Sequence, residues 1–218
     1  PEDGDRVTEV AVTYFVTATR SEETLPMFDD GAHDDGAAGD GVWGLRMPSF
    51  PHNTVVEYRF SALTAAGTES TSPRGANPFE FAPEERWAYY VNDNQVESPL
   101  PTYSVIVPDV DPEDPEDINR LLDCGTLRPG TFVADGEAFP AVGIRFRGNT
   151  ACWVKKRNLK IRFNRGRLFG GERKLNIQGL WTDRALLREH VSWRFIRELG
   201  IPAVDTEFVR IHLNGAYH

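Results

Sequence analysis

From Gly143 to Phe163 the chain alternates with period two. Ile144 and Phe146 alternate with Arg145 and Arg147, and Leu159, Ile161 and Phe163 alternate with Lys160 and Arg162. That pattern predicts two strands, each with one apolar and one cationic face. Gly148 and Asn149 supply the backbone freedom of a tight turn between them, and Lys155, Lys156 and Arg157 crowd further charge beside it. A cationic hairpin of this kind is either a grip for phosphate or a solvated sheet face.

The rest of the chain is β-rich as well. Residues 5–72 read as strands, with Val10, Val12, Tyr14 and Val16, then Val56, Tyr58, Phe60 and Ala62, alternating with polar or small residues. Val42–Met47 and Trp87–Val91 are further strand candidates, and Pro48, Pro51, Pro73, Pro78 and Pro83 punctuate turns. Short strands with turn residues between them predict an antiparallel sandwich, Ig-like or fibronectin-like, over 1–98. Residues 99–218 then form a second domain. It opens with a strand at Tyr103–Val107 and an acidic, Pro-rich run, and continues with a short helix at Ile118–Leu122 capped by Asp117. Thr131–Ala134 and Ala141–Phe146 pair around Asp135-Gly136. One main helix is expected from Arg184 to Leu199, with Asp183 as N-cap and Gly200 and Pro202 as stop signals. Leu187, Val191, Phe195 and Leu199 form one apolar row, and Leu186, Trp193 and Ile196 a second that encloses Glu189, so both faces are expected to be covered. A strand at Phe208–Leu213 and an Asn214-Gly215 turn complete an α+β class.

Charge divides the chain sharply. The net charge of -9 is the sum of -12 in residues 1–100, -7 in 101–140 and +10 in 141–218. A tail that basic points to an anionic partner or to an acidic surface elsewhere in the chain. Trp153, Trp181 and Trp193 are spaced as core residues, which argues against nucleic acid. No apolar run reaches the roughly 18 residues of a membrane span. Cys124 and Cys152 fit either redox compartment, as two buried thiols or as a disulfide.

Chemistry is sparse. The phosphate-loop, dinucleotide, nucleophile-elbow and HExxH signatures and any CxxC are absent. Residues 28–41 place Asp29, Asp30, Asp34, Asp35 and Asp40 among repeated glycines. Carboxylates on such a backbone are candidate Ca²⁺ ligands, although the EF-hand spacing fails: Asp35 stands where its Gly belongs and Gly41 where its Glu belongs. The competing reading is a long turn whose Asp side chains bond nearby N–H groups. In the second domain, a strand Lys followed by a helix Glu is how kinase-type folds hold ATP phosphates, which nominates Lys160 and Glu189.

The blocks VGIRFRGNTA, KK with LKIRF, KLNI, DRALLRE, FIRELGIPA and FVRIHLNGAYH resemble the CotH family of atypical, spore-coat-type protein kinases, through most of Pro101–His218. The resemblance implies the first lobe of a divergent kinase fold that uses ATP and Mg²⁺ to phosphorylate Ser or Thr of secreted or surface proteins. It places Arg147, Gly148 and Asn149 on the family's R-G-N signature, Lys156 and Lys160 in its basic strand region, and Glu189 in the helix facing them. Two departures stand out: Ala151 and Cys152 replace hydroxyl residues, and the base and metal-binding carboxylates expected after the N-G-x-Y turn are not in these 218 residues. The 1–98 domain resembles accessory β domains of exported bacterial surface proteins. The expectation is therefore an inactive N-terminal part of an extracellular or cell-surface kinase. The alternative is a non-catalytic surface module that uses a kinase-like scaffold.

Overall fold

The computed structural model describes residues 6–17, 19–73, 86–93, 97–108, 117–118 and 122–218. The chain divides into two compact units, 1–95 and 96–218. It is β-rich, with two sheets and, among the described residues, one main helix: an α+β fold.

The first unit holds β1 (Val7–Val16), β2 (Ser21–Pro26), β3 (Thr54–Thr64), β4 (Glu69–Ser72) and β5 (Trp87–Val91), joined antiparallel in the order β2-β1-β3-β4, with β5 also on β3. Alternation works as expected here. Val12, Tyr14 and Val16 are buried with Val56, and Leu25, Met47, Phe50, Tyr58 and Tyr89 pack against that cluster. The expected strand at 42–47 does not form; only an isolated bridge joins Phe28 to Gly44. β2 and β4 carry no apolar period because SEETLP and ESTS are exposed along nearly their whole length. The punctuating Pro78 and Pro83 lie outside the described residues.

The second unit is a seven-stranded sheet in the order β10-β9-β8-β7-β6-β11-β12. Its strands are β6 (Thr102–Ile106), β7 (Arg128–Ala134), β8 (Glu137–Arg147), β9 (Asn158–Arg162), β10 (Lys174–Ile177), β11 (Arg210–Leu213) and β12 (Ala216–Tyr217). Asp135 and Gly136, with φ of 52° and 78°, make the left-handed two-residue turn that matches strand twist between β7 and β8. β11 returns parallel to β6, and the Asn214 side chain locks the join: its Oδ1 accepts from Val107 N at 2.7 Å and its Nδ2 donates to Val107 O at 3.0 Å. The sheet curls far enough for its last strand to reach the segment before β9, where His218 Nε2 donates to Arg157 O at 2.8 Å.

Ile144, Phe146, Leu159, Ile161 and Phe163 are all buried, so the apolar face read from period two is the core face. Phe132, Phe139, Phe163 and Phe169 pack mostly edge-to-face, with centroids 5.1–6.1 Å apart. The β8–β9 connection is not a tight turn. It runs from Gly148 to Arg157 and contains a 3-10 turn at Thr150–Trp153. Of the short helix expected at 118–122, only Ile118 and Leu122 are described, joined by a Leu122 N–H···O Ile118 bond of 3.0 Å.

Helix α1 spans Arg188–Glu198, starting four residues later than the cap signal suggests. Leu186 has φ of 55°, which no helix tolerates, so the helix cannot run through it. Asp183 still serves the helix start: its carboxylate accepts from Ala185 N and, at 2.8 Å, from Arg188 N. The expectation that both apolar rows are covered fails for the first row and, in the second, for Leu186, which is exposed. Leu187, Val191, Phe195 and Leu199 are 50–60% exposed, whereas Glu189, Trp193 and Ile196 are half-buried.

Candidate functional site

The cationic face of the curled sheet is built by strand register. Arg145 on β8 stands opposite Lys160 on β9, and Arg162 on β9 stands opposite Lys174 on β10. Arg147 lies two residues beyond Arg145, opposite Asn158. Because side chains alternate, these cations share the side opposite the Phe and Ile core. Arg145 is anchored by its Nη1, which donates to the carbonyls of Cys124 and Phe146. Lys160 has no carboxylate within 4.0 Å among the described residues. Burial holds its ammonium below the usual lysine value, and Arg145, Lys174, Arg147 and Arg162 push it further down.

Gly148 and Asn149 lead out of β8 into the 3-10 turn. Gly148 has φ of 115°, and a Cβ there would stand 2.9 Å from Ala151 Cβ, so this position requires glycine. Cys152 in the turn is disulfide-bonded to Cys124, with Cα atoms 6.2 Å apart, so the two thiols are not free. The bond pins the turn to the loop before β7, where Asp123 Oδ1 accepts from Gly125 N and Thr126 N. Trp153 is 87% exposed and Trp181 53% exposed; neither is the core residue that its spacing suggested.

The nominated site residues fall in two places. Arg147, Gly148, Asn149 and Lys160 lie together at and below the β8–β9 connection. Lys156 turns to the C-terminal hairpin, where its Nζ lies 5.8 Å from the Tyr217 ring centroid; Arg210 takes a similar position at 5.0 Å. That cation-flanked tyrosine carries no motif, and only the juxtaposition of distant strands reveals it. Glu189 accepts from two neutral donors, Gln178 Nε2 and Trp193 Nε1, each at 3.5 Å. It forms no ion pair with Lys160 within 4.0 Å, so the expected strand-Lys to helix-Glu contact is not made here. Lys174 was passed over as a face cation although KLNI carries the same period-two signal as its neighbours.

The acidic loop of the first unit uses its carboxylates internally. Asp35 is buried and accepts from the N–H groups of Asp30, Gly31 and His33, which hold its carboxyl below the usual range against the opposing effect of burial. Asp29 accepts from Gly39, Asp40 and Gly41, Asp40 from Ala37 and Val42, and Asp30 from Ala32 and His33. Asp34 lies 3.5 Å from Arg46. This is the side-chain-to-backbone turn chemistry named as the competing reading. Among the described residues, no three His, Cys, Asp or Glu side chains stand together as a metal site.

Comparison with known proteins finds a match within each unit. Residues 144–218 match the family model described as CotH kinase protein, and residues 5–70 match the model of the conditioned medium factor second Ig-like domain. The Ig-like match fits a β-sandwich, and the CotH resemblance read from the sequence blocks holds. The inner spore coat protein H of Bacillus subtilis (strain 168) is 30% identical over 74 residues, which are 34% of this chain and 20% of that protein. The chain thus spans about a fifth of the length of the curated relative it matches. No helix among the described residues is long and apolar enough to cross a membrane.

Proposed function

We propose, from the CotH kinase match over 144–218, that the second unit supplies the phosphate-side half of a nucleotide site in a longer protein that transfers phosphate from ATP to Ser or Thr of secreted or surface proteins. The observation that carries this reading is the convergence of Arg147, Gly148 and Lys160 at one end of a cationic sheet. The donor set suits phosphate oxygens: two cations and the open backbone of a left-handed glycine. It does not suit Mg²⁺, which needs carboxylate oxygens, and Glu189 stands alone beside amide and indole donors. The proposal therefore gives this chain ATP contact without turnover, with the metal and the base carboxylates coming from elsewhere in the longer protein. The Cys124–Cys152 bond and the spore-coat relative favour an oxidising, extracellular or cell-surface setting.

A second reading, a non-catalytic surface module on a kinase-like scaffold, is favoured by one observation. Lys160 is ringed by cations and Glu189 is bonded elsewhere, so the pair that orients ATP in kinase-type folds is not assembled. Calorimetric titration of the 218-residue chain with ATP separates the two. Measurable affinity that falls on Lys160→Ala supports the nucleotide reading; no binding, or binding indifferent to both Lys160→Ala and Glu189→Ala, establishes the scaffold. Robust metal-dependent phosphate transfer by this chain alone would overturn the assignment of no turnover.

A further inference from the structure

Five cations form a continuous band across β8, β9 and β10. Arg147 and Arg145 are neighbours along β8, Arg145 faces Lys160 across the ladder, Arg162 follows on β9, and Arg162 faces Lys174 on β10. Like charges directly opposite on paired strands are unfavourable, and this sheet repeats the juxtaposition twice in adjacent ladders. Among the described residues, none of the five has a carboxylate within 4.0 Å, although acidic side chains are paired elsewhere in the same unit, as Glu137 is with Arg167 at 2.9 Å. Ordinary sheet faces interleave opposite charges at such pairs. Here like charges face each other instead, and an anion laid along the band would offset their repulsion.

We propose that this face docks an extended acidic peptide segment of a partner protein. Spacing selects that partner. Side chains at i and i+2 of an extended chain are roughly 6.8 Å apart, and strands are about 4.8 Å apart, so the band zigzags in steps of roughly 5–7 Å, about 23 Å along its path and about 17 Å end to end. Carboxylates alternating along an extended peptide repeat at the same interval. Asn176 opposite Lys160 puts a neutral amide beside the cations, suited to bonding the peptide backbone, whereas Asn158 opposite Arg147 has its Oδ1 taken by Gly179 N at 2.7 Å. Single-stranded nucleic acid has a comparable charge spacing but relies on aromatic stacking. The strand positions of this face are Gly143, Arg145, Arg147, Asn158, Lys160, Arg162, Lys174 and Asn176, with no aromatic among them. Arg147 and Lys160 are shared with the proposed ATP contacts, so peptide and nucleotide compete at that end of the band, whereas Arg162 and Lys174 lie outside those contacts and serve the peptide alone.

The test is fluorescence anisotropy of the 218-residue chain with a labelled twelve-residue peptide of alternating Glu and Ser at low salt. The Arg162→Gln/Lys174→Gln variant is expected to weaken binding roughly tenfold, and raising salt should do the same to the parent chain. Arg194→Gln on the helix, a cation off this face, should leave affinity unchanged. Thermal unfolding of each variant confirms folding; removing the facing cations should hold or raise the midpoint. Absence of peptide binding, or equal loss in Arg194→Gln, overturns the proposal. Tighter binding of a twelve-nucleotide single-stranded DNA than of the peptide overturns the choice of partner.

Discussion

Replacing both Cys124 and Cys152 with Ser tests how the R-G-N connection is held. The bond joins residues 28 apart in sequence, and the loop it closes contains the whole β7–β8 hairpin. Loop-closure entropy for that length gives about 3.6 kcal/mol of stabilisation at 25 °C, through restriction of the unfolded chain. That is an upper figure. The Phe146 N–H···O Asp123 bond at 2.9 Å and the Arg145 guanidinium on Cys124 O keep the same segments together in the double variant. For a unit of this size the loss corresponds to a fall of about 10–15 °C in melting temperature. Urea unfolding followed by tryptophan fluorescence measures it, with thiol titration in denaturant as the companion assay. Two reactive thiols per chain in protein isolated from an oxidising compartment, or a double variant within about 0.5 kcal/mol of the parent, would refute the reasoning.

Two further outcomes follow from packing and charge. Phe163→Ala empties a fully buried site ringed by Phe132, Phe139 and Phe169 and should cost about 3–5 kcal/mol in urea unfolding, whereas Phe195→Ala on the exposed row should cost less than about 1 kcal/mol. Asp183 accepts from Arg188 N and then Ala185 N, which hold its carboxyl below the usual range. A depressed carboxylate stabilises fully above the unfolded-state value of about 3.9 and loses that contribution as pH falls through the folded value. Asp183→Asn should therefore melt lower than the parent at pH 7, with the gap closing only as pH falls below the usual carboxylate range, as read by circular dichroism.

The core was legible because its signal is local. Ile144, Phe146, Leu159, Ile161 and Phe163 announce their face through period two alone, and Asp135-Gly136 and Asn214-Gly215 announce their turns. β2 and β4 escaped because an exposed polar strand has no apolar face to advertise. The helix start misled because the caps were right but the positive φ of Leu186 cannot be read from a leucine. Glu189 looked like a partner for Lys160 because both stand at suggestive positions in sequence. Its actual donors, Gln178 and Trp193, are set by three-dimensional approach. The exposure of Trp153 and Trp181 likewise depends on where the 3-10 turn and the loop before α1 lie, which spacing does not encode.

The parallel join of β6 to β11 has a kinetic consequence. Thr102 and its ladder partner Arg210 are 108 positions apart. On a ribosome adding about 5–20 residues per second, β6 waits some 5–20 s for its neighbour after it is made. Throughout that interval one of its edges offers unpaired amides to any passing strand. Nascent chains should therefore be most prone to misassembly before Leu213 emerges, and a holdase bound at Thr102–Ile106 would protect them until the ladder closes.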